Sequence, residues 1–149
     1  MKITVIEPQT PEEFKQYYSL RYKILRKPWG QPRGSERDNE DEISHHRMII
    51  DEATGDAIAV GRLQVNTTEE AQIRYMAIAE RYQGQGLGCN IVTALEDIAL
   101  DKGASRIILQ ARSNAVQFYQ SNGYEIVEKT HLLFDEIQHW LMKKELTTD

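Results

Sequence analysis

Residues 71–88 read Ala71-Gln72-Ile73-Arg74-Tyr75-Met76-Ala77-Ile78-Ala79-Glu80-Arg81-Tyr82-Gln83-Gly84-Gln85-Gly86-Leu87-Gly88. Ala71 to Ile78 is a strand candidate, and three glycines then fall at two-residue spacing. Beyond them Ile91, Val92, Leu95, Ile98 and Ala99 share one helical face, and the helix should end near Lys102 with Gly103 as its C-cap. A glycine loop between a strand and a helix can turn several backbone N–H groups towards one point. The helix start adds four unpaired donors and a partial positive charge, so a phosphate or pyrophosphate is the natural ligand. Spacing alone is equally consistent with a tight turn that binds nothing.

Two phosphate-binding patterns fail on the letters. A P-loop needs Lys and then Ser or Thr after its last glycine, whereas Cys89-Asn90 follow Gly88. A dinucleotide fingerprint needs a third glycine where Cys89 stands, and the following strand ends at Gln110 rather than at an acidic residue.

Upstream, Ile3 and Val5 mark a short strand closed by Pro8. Thr10-Pro11-Glu12-Glu13 is a helix start, with Thr10 as cap, Pro11 in the first turn and Glu13 completing a capping box. Phe14, Tyr17, Tyr18, Tyr22 and Leu25 give that helix an apolar face up to about Arg26 or Lys27. Residues 28–42 lose all periodicity and carry five carboxylates between Glu36 and Glu42. Ser44–Asp51 and Ala57–Gln64 read as a hairpin turning at Glu52–Asp56. Downstream, Ile107-Ile108-Leu109 is a buried strand, 114–121 a short helix stopped by Asn122-Gly123, and Tyr124–Lys129 and Ile137–Lys144 are closing antiparallel strands. The succession predicts one α/β (α+β) domain over residues 1–149, three layers deep, with a mixed, mostly antiparallel sheet flanked by helices.

The 149 residues are 40% hydrophobic and 28% charged, ordinary for a globular chain. Eighteen Lys and Arg against 23 Asp and Glu give a net charge of −5, which argues against nucleic acid as a partner. Apolar runs are only a few residues long, so no membrane partner is expected, and Met1–Glu7 lacks signal-peptide character, so a cytoplasmic location is. Cys89 is the single cysteine, and the four histidines lack metal-ligand spacing, so no metal is predicted.

Arg81-x-x-Gly84-x-Gly86 resembles the pyrophosphate loop of the GNAT superfamily of N-acetyltransferases. Asn114-Ala115-Val116-Gln117-Phe118-Tyr119-x-x-x-Gly123-Tyr124 is similar to that family's second motif. The two together, over residues 71–124, are far more specific than either alone. The resemblance implies the acyl-CoA N-acyltransferase fold, acetyl-CoA (coenzyme A) as cofactor, and a small-molecule or peptide amine as acceptor. It implies that the backbone of Met76, Ala77 and Ile78 pairs with the pantetheine arm. It further implies that Arg81 opens the pyrophosphate loop, that Gln83, Gly84, Gln85, Gly86, Leu87, Gly88 and Cys89 hold the diphosphate, and that Asn114 contacts the cofactor. Tyr119 would lie near the sulfur as general acid. A thiol near ~8.5 and a phenol near ~10 make that proton transfer feasible but weakly driven.

No spacing identifies the base; His131, Glu69, Glu70 and the acidic loop are candidates. His45, His46 and His139 read as packing or surface residues. The acidic loop either borders the acceptor, where its carboxylates would attract a cationic amine, or is solvated. Trp29 either lines the same cleft or anchors the loop. Cys89, at the helix start, reads as a small buried residue beneath the loop rather than a nucleophile. The competing function is a catalytically idle acyl-CoA-binding module. Homodimerisation through the terminal strand Ile137–Met142 is also possible.

Overall fold

The computed structural model describes residues 1–146. In chain order the elements are β1 (Ile3–Ile6), α1 (Pro11–Leu25), β2 (His45–Asp51), β3 (Ala57–Val65), β4 (Glu70–Ile78), α2 (Leu87–Asp101), β5 (Arg106–Arg112), α3 (Val116–Ser121), β6 (Glu125–Leu133) and β7 (Ile137–Glu145). Short 3₁₀ turns precede three of the connections, at Lys27–Trp29, Glu80–Tyr82 and Ser113–Ala115. The strands form one sheet in the order β1-β2-β3-β4-β5-β7-β6, antiparallel except for β4 and β5.

Alternation along the central strands builds the layers. Ile49 and Ala59 pack with Leu87, Ile91, Val92 and Leu95 of α2 on one face. Their neighbours Met48 and Val60 pack with Tyr17, Leu20 and Leu25 of α1 on the other. Successive side chains of a strand point to opposite faces, so β2 and β3 are buried on both sides and read as continuous apolar runs. The predicted capping box of α1 is formed: Glu13 N–H donates to Thr10 Oγ1 and Thr10 N–H to Glu13 Oε1, each at 3.1 Å.

Three boundaries and the state of one loop differ from expectation. β5 extends to Arg106–Arg112 because β7 pairs with all seven residues, from Arg106↔Glu145 to Arg112↔His139. β6 likewise reaches Leu133, paired with Ile137. The helix expected over 114–121 begins as a tighter 3₁₀ turn. The acidic loop is aperiodic as expected, but it is not simply solvated, because three of its carboxylates are held by groups described below. Among the described residues no helix is long and apolar enough to cross a membrane.

Candidate active site

The sheet opens at its centre. β4 and β5 are paired only from Glu70↔Arg106 to Ile73↔Leu109, although both strands continue, to Ile78 and Arg112. On the other side of β4 the register slips by one residue between Val60↔Ala77 and Arg62↔Arg74. Gly61 alone therefore faces Tyr75 and Met76, which is a β-bulge. Tyr75 sits at φ +56°, a region that costs a bulky residue about 1–3 kcal/mol. The bulge and the split together leave backbone polar groups of Tyr75 and Met76 outside both ladders.

A cavity of about 240 Å³ occupies the fork. Met76 and Tyr75 line it from β4, Gln110, Ala111 and Arg112 from β5, and Tyr119 from α3. His131 and His139 close it from the β6–β7 hairpin, their rings stacked 4.3 Å apart at 14°. Leu25 and Arg26 reach it from the end of α1. Tyr119 is 7% exposed, and burial alone pushes its hydroxyl well above the usual phenol range. Its ring meets Phe118 and Tyr124 edge-on, so it is both a core aromatic and a cavity wall. His139 Nδ1 donates to the Ile137 carbonyl at 2.9 Å, which leaves Nε2 as the acceptor. Burial, outweighing that bond, and then the nearby His131, Arg112 and Arg26 hold its pKa below the ordinary imidazole value.

The glycine loop lies apart from this cavity. Gly84 and Gly86 adopt φ +79° and +84°, with nothing within 4 Å of where a Cβ would stand. Gly86 is the N-cap of α2, and no side chain caps the helix. The first-turn amides therefore keep their donors for a ligand, and no acidic residue in that turn opposes an anion. Gly88 has a different reason: a Cβ there would lie 2.8 Å from Phe118 Cζ. Leu87 is buried and anchors the helix start, whereas Gln83 and Gln85 donate to the Ile78 and Arg81 carbonyls.

Arg81 and Gln83 line a groove of about 940 Å³ beneath α1, together with Ala79 and Tyr82. Ala77 is buried towards α1, and Ile78 packs against the α2 side. Asn114 is exposed, within the 3₁₀ turn whose last residue, Ala115, lines the cavity. The structure thus joins Met76 and Tyr119 in one cavity and sets the loop residues at the mouth of α2. Cys89 is exposed, not buried as expected: position three of the helix faces outward, and its thiol donates to Asn122 Oδ1 at 3.1 Å.

The expected bases are also sorted. Glu70 is engaged by Arg106 at 3.1 Å at the closed end of the β4–β5 seam, and Glu69 precedes it there. Neither lines the cavity, whereas His131 does. His139, expected only to pack or lie at the surface, also lines the cavity, where the irregular stretch of the β6–β7 hairpin between Lys129 and Leu132 brings the His131 ring onto it. His46 packs in the core, with Nε2 on the Asp41 carbonyl and Nδ1 2.7 Å from Tyr17 Oη.

Three of the five loop carboxylates, those of Glu36, Asp38 and Asp41, are held within the fold, Glu40 and Glu42 are exposed, and none of the five lines the cavity. Asp41 pairs with Arg21 at 2.9 Å and Arg62 at 3.0 Å, and both guanidiniums are fully buried. Asp38 grips Arg62 through both oxygens, at 2.6 and 3.2 Å, and accepts from Tyr75 Oη at 3.3 Å. Glu36 is buried and accepts from the Gly34 amide. Burial works to raise the Asp38 and Asp41 pKa values, but the arginines and backbone amides outweigh it and hold both below the usual carboxylate range. Arg21 and Arg62 lie 4.4 and 4.9 Å from the Tyr75 ring centre, bracing the bulge from the α1 side. The signal for this cluster was Arg21 itself, four residues from both Tyr17 and Leu25 on the apolar face of α1.

A parallel pair forked beside a bulge, with an uncapped helix mouth after the first strand of the fork, agrees with the acyltransferase fold that the resemblance implies. The sequence pattern of the acetyltransferase (GNAT) family matches residues 13–124, and the chain belongs to that family. It is 28% identical over 134 residues to a Bacillus subtilis (strain 168) protein described as the uncharacterized N-acetyltransferase YjcF, covering 90% of this chain and 94% of that one. Its fold is similar to that of Escherichia coli ElaA, with a TM-score of 0.80 at 17% identity over 97% of this chain and 99% of that one. It is also similar to a GNAT acetyltransferase from Elizabethkingia anophelis with acetyl-CoA bound, with a TM-score of 0.75 at 17% identity over 97% and 98% of the two chains. The protein is therefore an acyltransferase enzyme with acetyl-CoA as the cosubstrate of its family, and the idle-module alternative is not favoured.

Proposed function

We propose that the protein acetylates a primary amine of a small molecule or peptide by direct attack of the amine on the donor. The observation that carries this reading is the fork itself, where the free backbone of a bulge, a buried tyrosine and a stacked histidine pair meet in one cavity. When bound, acetyl-CoA supplies an activated acetyl thioester. The amides of Gln83 to Cys89 would hold its diphosphate, with Arg81 alongside and Asn114 as a further contact. Met76, Ala77 and Ile78 would receive the pantetheine arm along the unpaired edge of β4.

Each residue of the cavity then has a defined task. The main chain at Met76 offers a donor to the acetyl oxygen without reorganisation. His139, neutral at pH 7 and with Nε2 unprotonated, takes the proton of the incoming ammonium, and His131 stacks behind it. Tyr119 keeps its proton on Oη and offers it to the sulfur; its aromatic neighbours exclude water from that side. Ile137–Met142, expected as the pairing strand, lies in β7 between β5 and β6 and is no edge; of the two edge strands, β1 and β6, the latter exposes Ile126 and Val127 and is the surface on which two copies would pair.

Calorimetry with acetyl-CoA tests the donor assignment: saturable binding is expected, and none at millimolar donor would end it. Tyr119→Phe should lower kcat by about 10²–10⁴-fold with an unchanged acetyl-CoA Kd. Unchanged turnover with chemistry rate-limiting would remove Tyr119 from the reaction.

A further inference from the structure

The cavity at the fork is positively charged although the chain as a whole carries a net charge of −5. Its lining includes Arg26, Arg74 and Arg112, with no Asp or Glu. Arg74 is partly answered by Asp38 at 3.5 Å. Arg26 and Arg112 are not. Arg26 donates through Nε to the Ser35 carbonyl and through Nη1 to the Leu25 carbonyl, both at 3.0 Å. Arg112 donates through Nη2 to the same Leu25 carbonyl, at 3.2 Å. Two guanidiniums thus converge on one oxygen at the end of α1. Among the described residues no carboxylate comes within ion-pair distance of either; Asp135 and Glu136 line a separate recess beyond Trp29.

The pair is held rigidly. Arg112 lies 4.6 Å from the Trp29 ring centre, and Arg26 lies 5.6 Å from both Tyr75 and Phe134. Burial, and then the charge of Arg26, pull Arg112 down to about 10. Juxtaposing two partly buried like charges opposes folding, and an anion between them removes that cost. Planar guanidiniums suit carboxylate and phosphate oxygens in particular. The diphosphate of the donor is no candidate for this place, since the loop expected to hold it does not line the cavity.

We infer that the acceptor is an amine that also carries a carboxylate or a phosphate, and that Arg26 and Arg112 hold this anionic group while its amine faces His139 and the bulge. This rests on the acetyl-transfer reading and narrows it: polyamines and other purely cationic amines are disfavoured. Trp29 and Phe134 position the two guanidiniums.

The test separates the two readings. Coenzyme A is first titrated alone by calorimetry, which reports on the donor site. With coenzyme A saturating, inorganic phosphate is then titrated against chloride of matched ionic strength, with Tm as the readout. A saturable, phosphate-specific rise is expected, weakened about 10–100-fold in Arg112→Gln and in Arg26→Gln, and restored only in part in Arg112→Lys, which keeps the charge but not the planar fork. Phosphate acting no better than chloride, or equally well on both Gln variants, overturns the inference and leaves the acetyl-transfer reading standing. Absence of coenzyme A binding strikes that reading instead, and the phosphate titration still reports on the arginines. Turnover is then compared within matched pairs: β-alanine against β-alaninamide for a carboxylate, phosphoethanolamine against ethanolamine for a phosphate. A kcat/KM at least about tenfold higher for one anionic member supports the inference. Neutral members that are turned over equally well or better refute it.

Discussion

Removing the carboxylate of Asp41 should destabilise the fold more than any other single change in the acidic loop. Asp41 accepts from Arg21 Nη1 at 2.9 Å, lies 3.0 Å from Arg62 Nη1 and accepts from the Asp38 amide at 2.8 Å. Both guanidiniums are fully buried, and the Nε of each already lacks a partner. In Asp41→Ala, Arg21 is left with the Glu36 carbonyl and Tyr17 Oη, neither of them charged. Stripping the partner from a buried charge costs about 3–5 kcal/mol, a large share of a total stability of about 5–15 kcal/mol. Asp38→Ala should cost less, about 1–3 kcal/mol, because Asp38 is partly exposed and Arg62 keeps Asp41. Urea unfolding at pH 7 measures both. Since folding lowers both carboxyl pKa values, their stabilisation is complete above the unfolded value of about 3.9 and is lost as pH falls through the folded values. The deficit of Asp41→Ala should therefore shrink in acid. A loss below about 1 kcal/mol at pH 7, or a larger one for Asp38→Ala, would refute the assignment of Asp41 as the shared counter-ion.

Three further outcomes follow from the geometry. Gly61→Ala places a Cβ 2.6 Å from Ile91 Cγ2 and 2.9 Å from Met76 Sδ, and should cost about 1–3 kcal/mol in urea unfolding through overpacking opposite the bulge. Gly84→Ala meets no atom but must hold φ +79°; we expect a stability loss of about 1–2 kcal/mol and, by calorimetry, weaker acetyl-CoA binding. His139→Gln should lower kcat/KM by about 10²-fold or more and remove the acid limb of the pH profile. In the unmodified enzyme that limb lies below the ordinary histidine value of about 6.5, because the lowered pKa keeps the ring neutral further into acid.

The local rules carried most of the fold. The capping box fixed the start of α1, and the glycines around the uncapped mouth of α2 announced that helix. What stayed hidden depends on strands meeting at a distance. The bulge at Tyr75 arises from register against Gly61, and the letters Arg74-Tyr75-Met76 give no turn signal for it. The β4–β5 seam stops after Ile73↔Leu109 for reasons of sheet geometry that neither strand shows alone. Charge misled most. A run of carboxylates looks solvated until Arg21 and Arg62, 20 and 21 residues away from Asp41 in opposite directions, are seen buried beneath it. Of the three arginines that line the cavity, Arg26 and Arg112 come from the end of α1 and the end of β5, which only the finished fold brings together.

The four-residue seam between β4 and β5 divides the sheet into two panels, β1–β4 and β5-β7-β6. A molecule lying in the gap beyond Ile73 and Leu109 touches both and acts as a cross-brace. Bound donor should therefore slow amide exchange in the closing hairpin as well as in the strand it lies along. In such a hinge-like arrangement, occupancy of the crevice and rigidity of the C-terminal panel rise together.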